Sequence, residues 1–151
     1  YCNTQFPPLR SSKIRRALAY CINRQKICEE QLIGQRPYRS PLPQGLSLLK
    51  EEELYLDGDV EKARQLFAEG LKELNMTRTS FPPLVFLHSH ITGQLQLARS
   101  IQSQWEKNLG IVVRLVEVEW NTLSSILDSR QFHIGSCYRH FFYRDPLYIF
   151  D

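Results

Sequence analysis

The sequence is first informative through what it lacks. No apolar run approaches the roughly 18 residues that a membrane-spanning helix needs. The opening "YCNTQFPPLRSS" has neither the charged nor the apolar segment of a signal peptide. The net charge of +3 is small and the basic residues are scattered among acids, whereas a nucleic-acid footprint would need a clustered basic face. We therefore expect a globular protein that does not bind nucleic acid.

The usual catalytic and metal-binding motifs are absent as well. The chain has no G-x-S-x-G, no Gly-rich phosphate loop and no H-E-x-x-H. Its four cysteines, Cys2, Cys21, Cys28 and Cys137, lack the paired CxxC spacing of a zinc or redox site. Cys21 and Cys28 would lie about 10 Å apart on one helix, too far for a disulfide, so small buried thiols are the simplest interpretation. A Cys2–Cys137 disulfide is possible if the segments that carry these two residues are neighbours, which the sequence does not decide.

The length and composition fit one folded domain. The 151 residues are 42% hydrophobic and 23% charged, close to globular averages, so disorder is not expected. The sequence has no starting Met and stops at "PLYIFD". We expect a fragment of a longer protein, in which case missing targeting signals say nothing about location.

The first half of the chain predicts helices separated by proline-rich sequence. "YCNT" is typical of a strand end and is followed by the breaker Phe6-Pro7-Pro8. "SSKIRRALAYCI" predicts a helix capped by Ser11 or Ser12, and "NRQKICEEQLIG" predicts another that Asn23 caps and Gly34 ends. Residues 35–48 hold three prolines and predict an extended loop.

The helix predicted after that loop has a clear apolar stripe. "DGDVEKARQLFAEGLKELN" begins at the capping residue Asp59. Its apolar residues recur at helical spacing on one face, namely Val60, Ala63, Leu66, Phe67, Leu71 and Leu74.

The second half alternates strands and helices. "PLVFLH" (83–88), "IVVRLVEVEW" and "FHIGSC" predict strands. Between them, "TGQLQLARSIQSQWEKNLG" predicts a helix that ends at Gly110, and "NTLSSILDSRQ" predicts a short helix capped by Asn121. The long helix should face inward with Leu95, Ala98, Ile101, Trp105 and Leu109. This order implies right-handed crossovers, a largely parallel sheet flanked by helices, and the α/β class.

Ligands of open α/β sheets lie beyond the carboxyl ends of the strands. Three segments occupy such positions here: "HSHITG", "EWNT" and "GSCYRHFFYRDP". The third is the richest, because it sets aromatic and imidazole rings between two arginines.

Three kinds of chemistry are conceivable for these segments. Cys137 can pair with His140, His88 or His90 as a nucleophile and base, but spacing alone does not show contact. His88 and His90, two apart at a strand end, can chelate a metal, but no carboxylate or thiolate partner has a diagnostic spacing. Binding of a small polar ligand fits best, because Tyr and His rings offer flat apolar area and Arg offers a fork for carboxylates. In the opposing interpretation, Phe141 and Phe142 fill a core or interface and the arginines are surface charges.

Several longer stretches resemble the family 5 extracytoplasmic solute-binding proteins, the oligopeptide, dipeptide and nickel receptors of ABC importers. "FPPLRSSKIRRALAYCINRQKICEEQLIGQRPYRSPLPQGL" resembles the family's capped helix pair and Pro-rich segment, with Asn23 where Asp is usual. "DVEKARQLFAEGLKEL" and "ARSIQSQWEKNLGIVVRLVEVEWNTLSSILDSRQFHI" are similar to its later helices and strand, with His133 replacing an Asp. "RDPLYIF" matches its closing motif, so the resemblance covers essentially the whole chain.

The resemblance implies a function and a place for the ligand. Residues 1–151 would form one α/β lobe of a two-lobed periplasmic-binding-protein-like fold (type II), and a peptide or small polar solute would lie between the lobes. The liganded receptor, expected to be monomeric, free of cofactors and not an enzyme, would deliver its cargo to an ABC permease from the periplasm or cell envelope. The alternative is a metal-binding or enzymatic α/β domain that uses His88, His90, Cys137 or His140.

The resemblance also places the cleft-lining loop after the last strand. In some family members this loop carries an acid that pairs with the peptide's α-amino group, and here that position falls at Phe142. No Asp or Glu lies between Gly135 and Arg144, so we expect the loop to favour a carboxylate or another anion. Asn3 and Thr4 are expected near the hinge, and residues 38–43 are weaker candidates. The predicted ligand contacts are aromatic walls and charged or imidazole groups: Tyr138, Arg139, His140, Phe142, Tyr143 and Arg144. Because successive residues of an extended run alternate in direction, about half of these should face the ligand.

Overall fold

The computed structural model describes residues 1–31, 34–37 and 57–136. These residues form helices and strands that alternate in the second half of the chain, which confirms the α/β prediction. The helices are α1 (Pro7–Arg10), α2 (Ser12–Tyr20), α3 (Arg24–Gln31), α4 (Val60–Glu73), α5 (Gln94–Leu109) and α6 (Trp120–Asp128). The strands are β1 (Leu84–Ser89), β2 (Val113–Val118) and β3 (Ile134–Gly135).

The three strands form one parallel sheet in the order β2-β1-β3. The central strand β1 pairs with β2 from Leu84↔Val113 to Ser89↔Val118, and with β3 through Phe86↔Ile134 and Leu87↔Gly135. The predicted parallel sheet is confirmed, and all three strands end at the same edge. The β3 strand has only two residues, shorter than the predicted "FHIGSC".

The predicted caps of three helices are confirmed. The Ser11 hydroxyl accepts a hydrogen bond from the Ile14 amide at 3.5 Å, and the Asn23 side-chain oxygen accepts from the Lys26 amide at 2.8 Å. The Asp59 carboxylate accepts from the Lys62 amide at 3.0 Å. Each side chain thus satisfies one of the amide groups that a helix leaves unpaired at its start. At the C-terminal end of α5, the predicted end residue Gly110 takes the left-handed conformation (φ +67°) that favours glycine.

The core lies between the α5 face of the sheet and the helices of the first half. The Trp105 ring of α5 packs 5.8 Å from Phe86 of β1, and its indole Nε1–H donates to the Leu18 carbonyl of α2 at 2.8 Å. Helix α4 packs against α2 so closely that a Cβ at Gly70 would lie 2.7 Å from the Ile14 side chain. The buried cluster is apolar: Leu9, Ile14, Ala17, Leu18, Cys21, Ala63, Leu66, Phe67, Leu71, Phe81, Leu84, Phe86, Ala98, Trp105, Leu109, Ile111, Val113 and Ile134.

Two local predictions were wrong. The breaker Phe6-Pro7-Pro8 opens the short helix α1, because proline at a first helical position loses no hydrogen bond. Helix α6 starts at Trp120, where the Leu123 amide already donates to the Glu119 carbonyl at 2.8 Å, so Asn121 lies inside the helix and does not cap it.

The apolar stripes were largely correct. On α4 the predicted members are buried except Val60 and Leu74, which are half-buried, and Gly70 joins the buried face. On α5 Ala98, Trp105 and Leu109 are buried, Leu95 and Ile101 are half-buried, and the polar Gln94 is buried as well.

The prediction that the cysteines are small buried thiols is correct for Cys21 but not for Cys2 and Cys28. Cys21 is buried, Cys28 is half-buried and Cys2 is exposed, and all three are free thiols. The segment of Cys2 does neighbour β3 through an antiparallel bridge to Ile134, as a Cys2–Cys137 disulfide would require. Cys137 lies outside the described residues, as does most of the Pro-rich segment 35–48, including 38–43.

Candidate functional site at the carboxyl edge of the sheet

The carboxyl edge of the sheet brings together the starts of the three segments that were predicted to lie near a ligand, "HSHITG", "EWNT" and "GSCYRHFFYRDP". Ser89 of β1 and Val118 of β2 are register partners, and β3 ends at Gly135 beside Leu87. The residues that leave this edge are therefore His90, Glu119 and Ser136. The predicted contacts lie outside the described residues and stay predictions: Tyr138, Arg139, His140, Phe142, Tyr143 and Arg144.

Ser136 shows how the chain leaves the sheet towards that predicted loop. Its amide donates to the Leu87 carbonyl at 2.9 Å, which adds one hydrogen bond to the ladder beyond β3. Its hydroxyl donates to the side-chain oxygen of Gln94 at 2.7 Å. Gln94 is the first residue of α5 and is only 3% exposed. Ser136, the residue that follows β3, is thus hydrogen-bonded to both the central strand β1 and the helix α5.

The two histidines of "HSHITG" do not form a metal site in the structure. His88 is 1% exposed, and its ring Nδ1 lies 3.1 Å from the Ser89 carbonyl oxygen. His90 is exposed, and its Nδ1 lies 3.5 Å from Glu119 Oε2. Among the residues that the structure describes, no group of three or more His, Cys, Asp or Glu side chains is placed to hold a metal ion. The metal-binding alternative therefore gains no support from this edge.

The contact between His90 and Glu119 follows the sheet register. These residues come one position after the partners Ser89 and Val118, so the pair links the segments that leave β1 and β2. Both side chains are largely exposed, and exposed ion pairs contribute little to stability. Glu117 and Glu119 are both exposed, so the two acids lie on a solvated face.

The amino-terminal segment is held against the turn before β3. The Asn3 side-chain amide donates to the Arg130 and Phe132 carbonyls, both at 2.8 Å, and the Asn3 backbone amide donates to the His133 carbonyl at 2.9 Å. Asn3 therefore has a clear structural role, whereas the expectation that Asn3 and Thr4 lie near a hinge stays a prediction.

His133 contributes to the same attachment. Its ring stacks on Phe6 with 3.6 Å between centroids and 12° between planes, and its Nδ1 accepts a hydrogen bond from the Val85 amide at 3.1 Å. Burial lowers the pKa of the His133 imidazole below its ordinary value, since desolvation penalises the charged ring. A neutral His133 thus joins β1, the segment before β3 and the amino-terminal segment.

Gln94 is the site-edge residue that sequence reasoning missed. The apolar pattern of α5 predicts Leu95 as the first inward-facing residue, and a glutamine at a helix start is common. The one sequence signal is its spacing: Gln94 is four residues from the buried Ala98, so the two residues share a helix face.

Comparison with known proteins identifies the family. The family model for bacterial extracellular solute-binding proteins, family 5 Middle, matches residues 1–151. The chain belongs to this family. The description of this family names its members as bacterial extracellular solute-binding proteins. Within the described part of the chain, no helix combines the length and apolarity needed to cross a membrane.

Individual relatives are oligopeptide-binding proteins. The chain is 31% identical over 137 residues to the oligopeptide-binding protein OppA of Bacillus subtilis, and this covers 88% of the chain and 25% of the relative. It is 31% identical over 132 residues to the periplasmic oligopeptide-binding protein OppA of Escherichia coli, covering 85% of the chain and 23% of the relative. The chain thus spans about a quarter of the length of these curated relatives.

The solved structure of a periplasmic oligopeptide-binding protein, OppAIV of Borrelia burgdorferi, has the same fold. It matches with a TM-score of 0.85 and 30% identity, over 97% of this chain and 29% of that one. The predicted class, a periplasmic-binding-protein-like α/β fold, is therefore confirmed.

Proposed function

We propose that the chain is most of one lobe of a solute receptor that binds oligopeptides or peptide-like solutes and delivers them to an ABC permease. The receptor works outside the cytoplasm, as a monomer, and is not an enzyme. Support comes from membership of the family and from relatives whose names specify oligopeptide binding.

The observation that carries the proposal is the common carboxyl edge of the parallel strands. Ligands of open α/β sheets lie outside this edge, and the chain leaves it at Ser136 directly before the ring-rich and arginine-rich segment. A loop that begins there can line a cleft closed by a second lobe. In this proposal the walls are Tyr138, Phe142 and Tyr143, and His140 adds an imidazole hydrogen-bonding group.

The charges of the loop favour the carboxylate end of a ligand. Arg139 and Arg144 are the only fully ionised side chains between Gly135 and Arg144, and both are cationic. A guanidinium can hold a carboxylate through two parallel hydrogen bonds, which gives orientation as well as attraction. We therefore propose that this lobe recognises an anionic group, such as a peptide carboxylate.

The direct test is mass spectrometry of the ligand that copurifies with the full-length protein containing this sequence. Under native conditions we expect an additional mass that fragments as a peptide, and after unfolding and refolding we expect the protein to rebind peptides from a synthetic mixture. A refolded protein that binds no peptide, or that carries a stoichiometric metal instead, would contradict the proposal.

An alanine scan of the six predicted contacts tests the loop itself. Because neighbouring side chains of an extended run point in opposite directions, the variants that weaken binding should alternate along the segment. Loss of an arginine that pairs with a carboxylate should weaken binding about 10- to 100-fold, the range for hydrogen bonds to charged groups. The exposed Arg99, on the surface of α5, provides the control variant Arg99→Ala, for which we expect unchanged affinity.

A further inference from the structure

A buried amide lies where a helix meets the exit of β3. Gln94 is 3% exposed, and its side-chain oxygen accepts the hydroxyl hydrogen bond of Ser136 at 2.7 Å. Burial of an amide is costly unless its hydrogen bonds are made, whereas an apolar residue of the same size would be buried at no such cost. A glutamine in this place therefore has a use that packing alone does not explain.

The backbone around Gln94 holds its side chain in a defined place. Its amide donates to the Ile91 carbonyl at 3.0 Å, and the Leu97 amide donates to the Gly93 carbonyl at 3.0 Å. Gln94 thus lies in a hydrogen-bonded first turn of α5, and this helix packs on both β1 and β2. The oxygen that accepts from Ser136 therefore belongs to a helix that packs on the sheet.

The strand that leads to Ser136, β3, makes fewer contacts with the rest of the molecule than α5 does. β3 has two residues, paired with Phe86 and Leu87 of β1 on one side. On the other side, the Gly135 amide donates to the Tyr1 carbonyl at 2.9 Å. After Gly135, the described contacts that direct the chain are the bonds of Ser136 to Leu87 and to Gln94. The backbone bond fixes the height of Ser136 along the sheet, and the side-chain bond fixes its rotation towards α5.

We propose that Gln94 is a positioning residue of the ligand-binding site, which acts through Ser136 to set the direction in which the chain leaves the sheet. The inference rests on the proposed function, because it assumes that the segment after Ser136 contacts the ligand. Gln94 itself needs no contact with the ligand. Its hydrogen bond lowers the number of orientations in which that segment starts, and preorganisation of this kind raises affinity.

The test uses the full-length protein and a peptide that it binds. Gln94→Met keeps most of the side-chain volume and removes the acceptor, and Ser136→Ala removes the donor. We expect each variant to weaken peptide binding about three- to tenfold, the range of one lost neutral hydrogen bond. The double variant should be no weaker than the stronger single variant, because both changes remove the same bond. Ser136→Thr keeps the hydroxyl and should restore most of the affinity.

Matched controls come from the exposed face of the same helix. Gln96→Met and Ser103→Ala make the same chemical changes at exposed positions, and we expect both to bind like the wild type. Additive losses in the double variant, or Gln94→Met binding as well as Gln96→Met, would overturn the inference even if the wild type binds peptide tightly.

A second measurement separates this inference from the proposed function. In the ligand-free protein, hydrogen exchange of residues 137–144 should be faster in Gln94→Met and Ser136→Ala than in the wild type, while exchange of β1 stays unchanged. If exchange responds in this way but no peptide binds, the positioning role stands and the proposed ligand is wrong. If peptide binds and exchange in both variants equals that of the wild type, the proposed function stands and the positioning role is wrong.

Discussion

The rings of His133 and Phe6 stack with 3.6 Å between their centroids and a 12° angle between their planes. This contact joins the segment before β3 to the start of α1, across almost the whole length of the sequence. The Val85 amide, which belongs to the central strand, donates to the same imidazole at 3.1 Å. The neutral ring is required in this arrangement, because a protonated Nδ1 cannot accept a hydrogen bond.

Stability should therefore fall in mildly acidic solution through His133. Burial lowers its pKa in the folded protein, so the unfolded chain binds a proton that the folded protein does not. The stabilisation is complete above the unfolded pKa of about 6.5. It is lost as the pH falls through that value towards the lowered folded pKa. Between pH 8 and 5, the free energy of unfolding measured by denaturant titration should fall less steeply with decreasing pH in His133→Phe than in the wild type.

His133→Phe should also be less stable than the wild type at pH 8, because the Val85 amide loses its acceptor. His90→Asn, at an exposed histidine, serves as the control and should retain the steeper decline. Equal pH dependence in the wild type and His133→Phe would contradict the role assigned to this ring.

Gly70→Ala should destabilise the packing of α4 on α2. Helix propensity alone predicts that alanine stabilises a helix by about 1 kcal/mol over glycine. Here the new Cβ would lie 2.7 Å from Ile14 Cδ1 and 3.2 Å from the Ile14 backbone nitrogen. Because Ile14 is fully buried, we expect a net loss of about 1–3 kcal/mol by overpacking. Ala68→Gly on the exposed face of α4 measures the propensity effect alone, and a more stable Gly70→Ala would disprove the close approach.

Trp105→Phe should cost about 1–3 kcal/mol, because the Leu18 carbonyl would lose its donor inside the core. Trp105 is 5% exposed, whereas Trp120 is 37% exposed. Trp120→Phe is therefore a matched control, and its effect on the unfolding free energy should stay within about 0.5 kcal/mol. Similar losses in the two variants, measured by denaturant titration, would argue against the described contact.

The full-length protein should contain no stoichiometric metal that depends on His90. The ring of His90 lies beside Glu119, whereas His88 is buried with its Nδ1 at the Ser89 carbonyl. Elemental analysis of the purified protein checks this expectation. A bound metal that disappears in His90→Ala would revive the metal-binding alternative.

Much of the fold could be predicted because local signals and burial agree. Ser11, Asn23 and Asp59 have the right chemistry at helix starts, and the β-branched run of β2 lies where a strand was predicted. Errors arose where two local rules compete. Pro7 can break a helix or open one, and only the packing of Leu9 in the core favours the second.

The edge of the site was harder to predict than the elements around it. Gln94 is buried because its acceptor meets the hydroxyl of a residue 42 positions away, and no local pattern encodes that partner. The sequence marks His133 only as a departure from the family's Asp. Its stacking on Phe6 depends on a contact between residues far apart in the chain, which no local pattern predicts. The parallel edge itself was predictable, since it follows from the alternation of strands and helices.

The most direct test of the central claim is the affinity of the full-length protein for one bound peptide in three forms: free, N-acetylated and C-amidated. We expect acetylation to change the dissociation constant little, because the loop after β3 offers no acid to an α-amino group. Amidation should weaken binding about 10- to 100-fold, since Arg139 or Arg144 would lose a charged partner. A strong loss on acetylation combined with no loss on amidation would contradict the account.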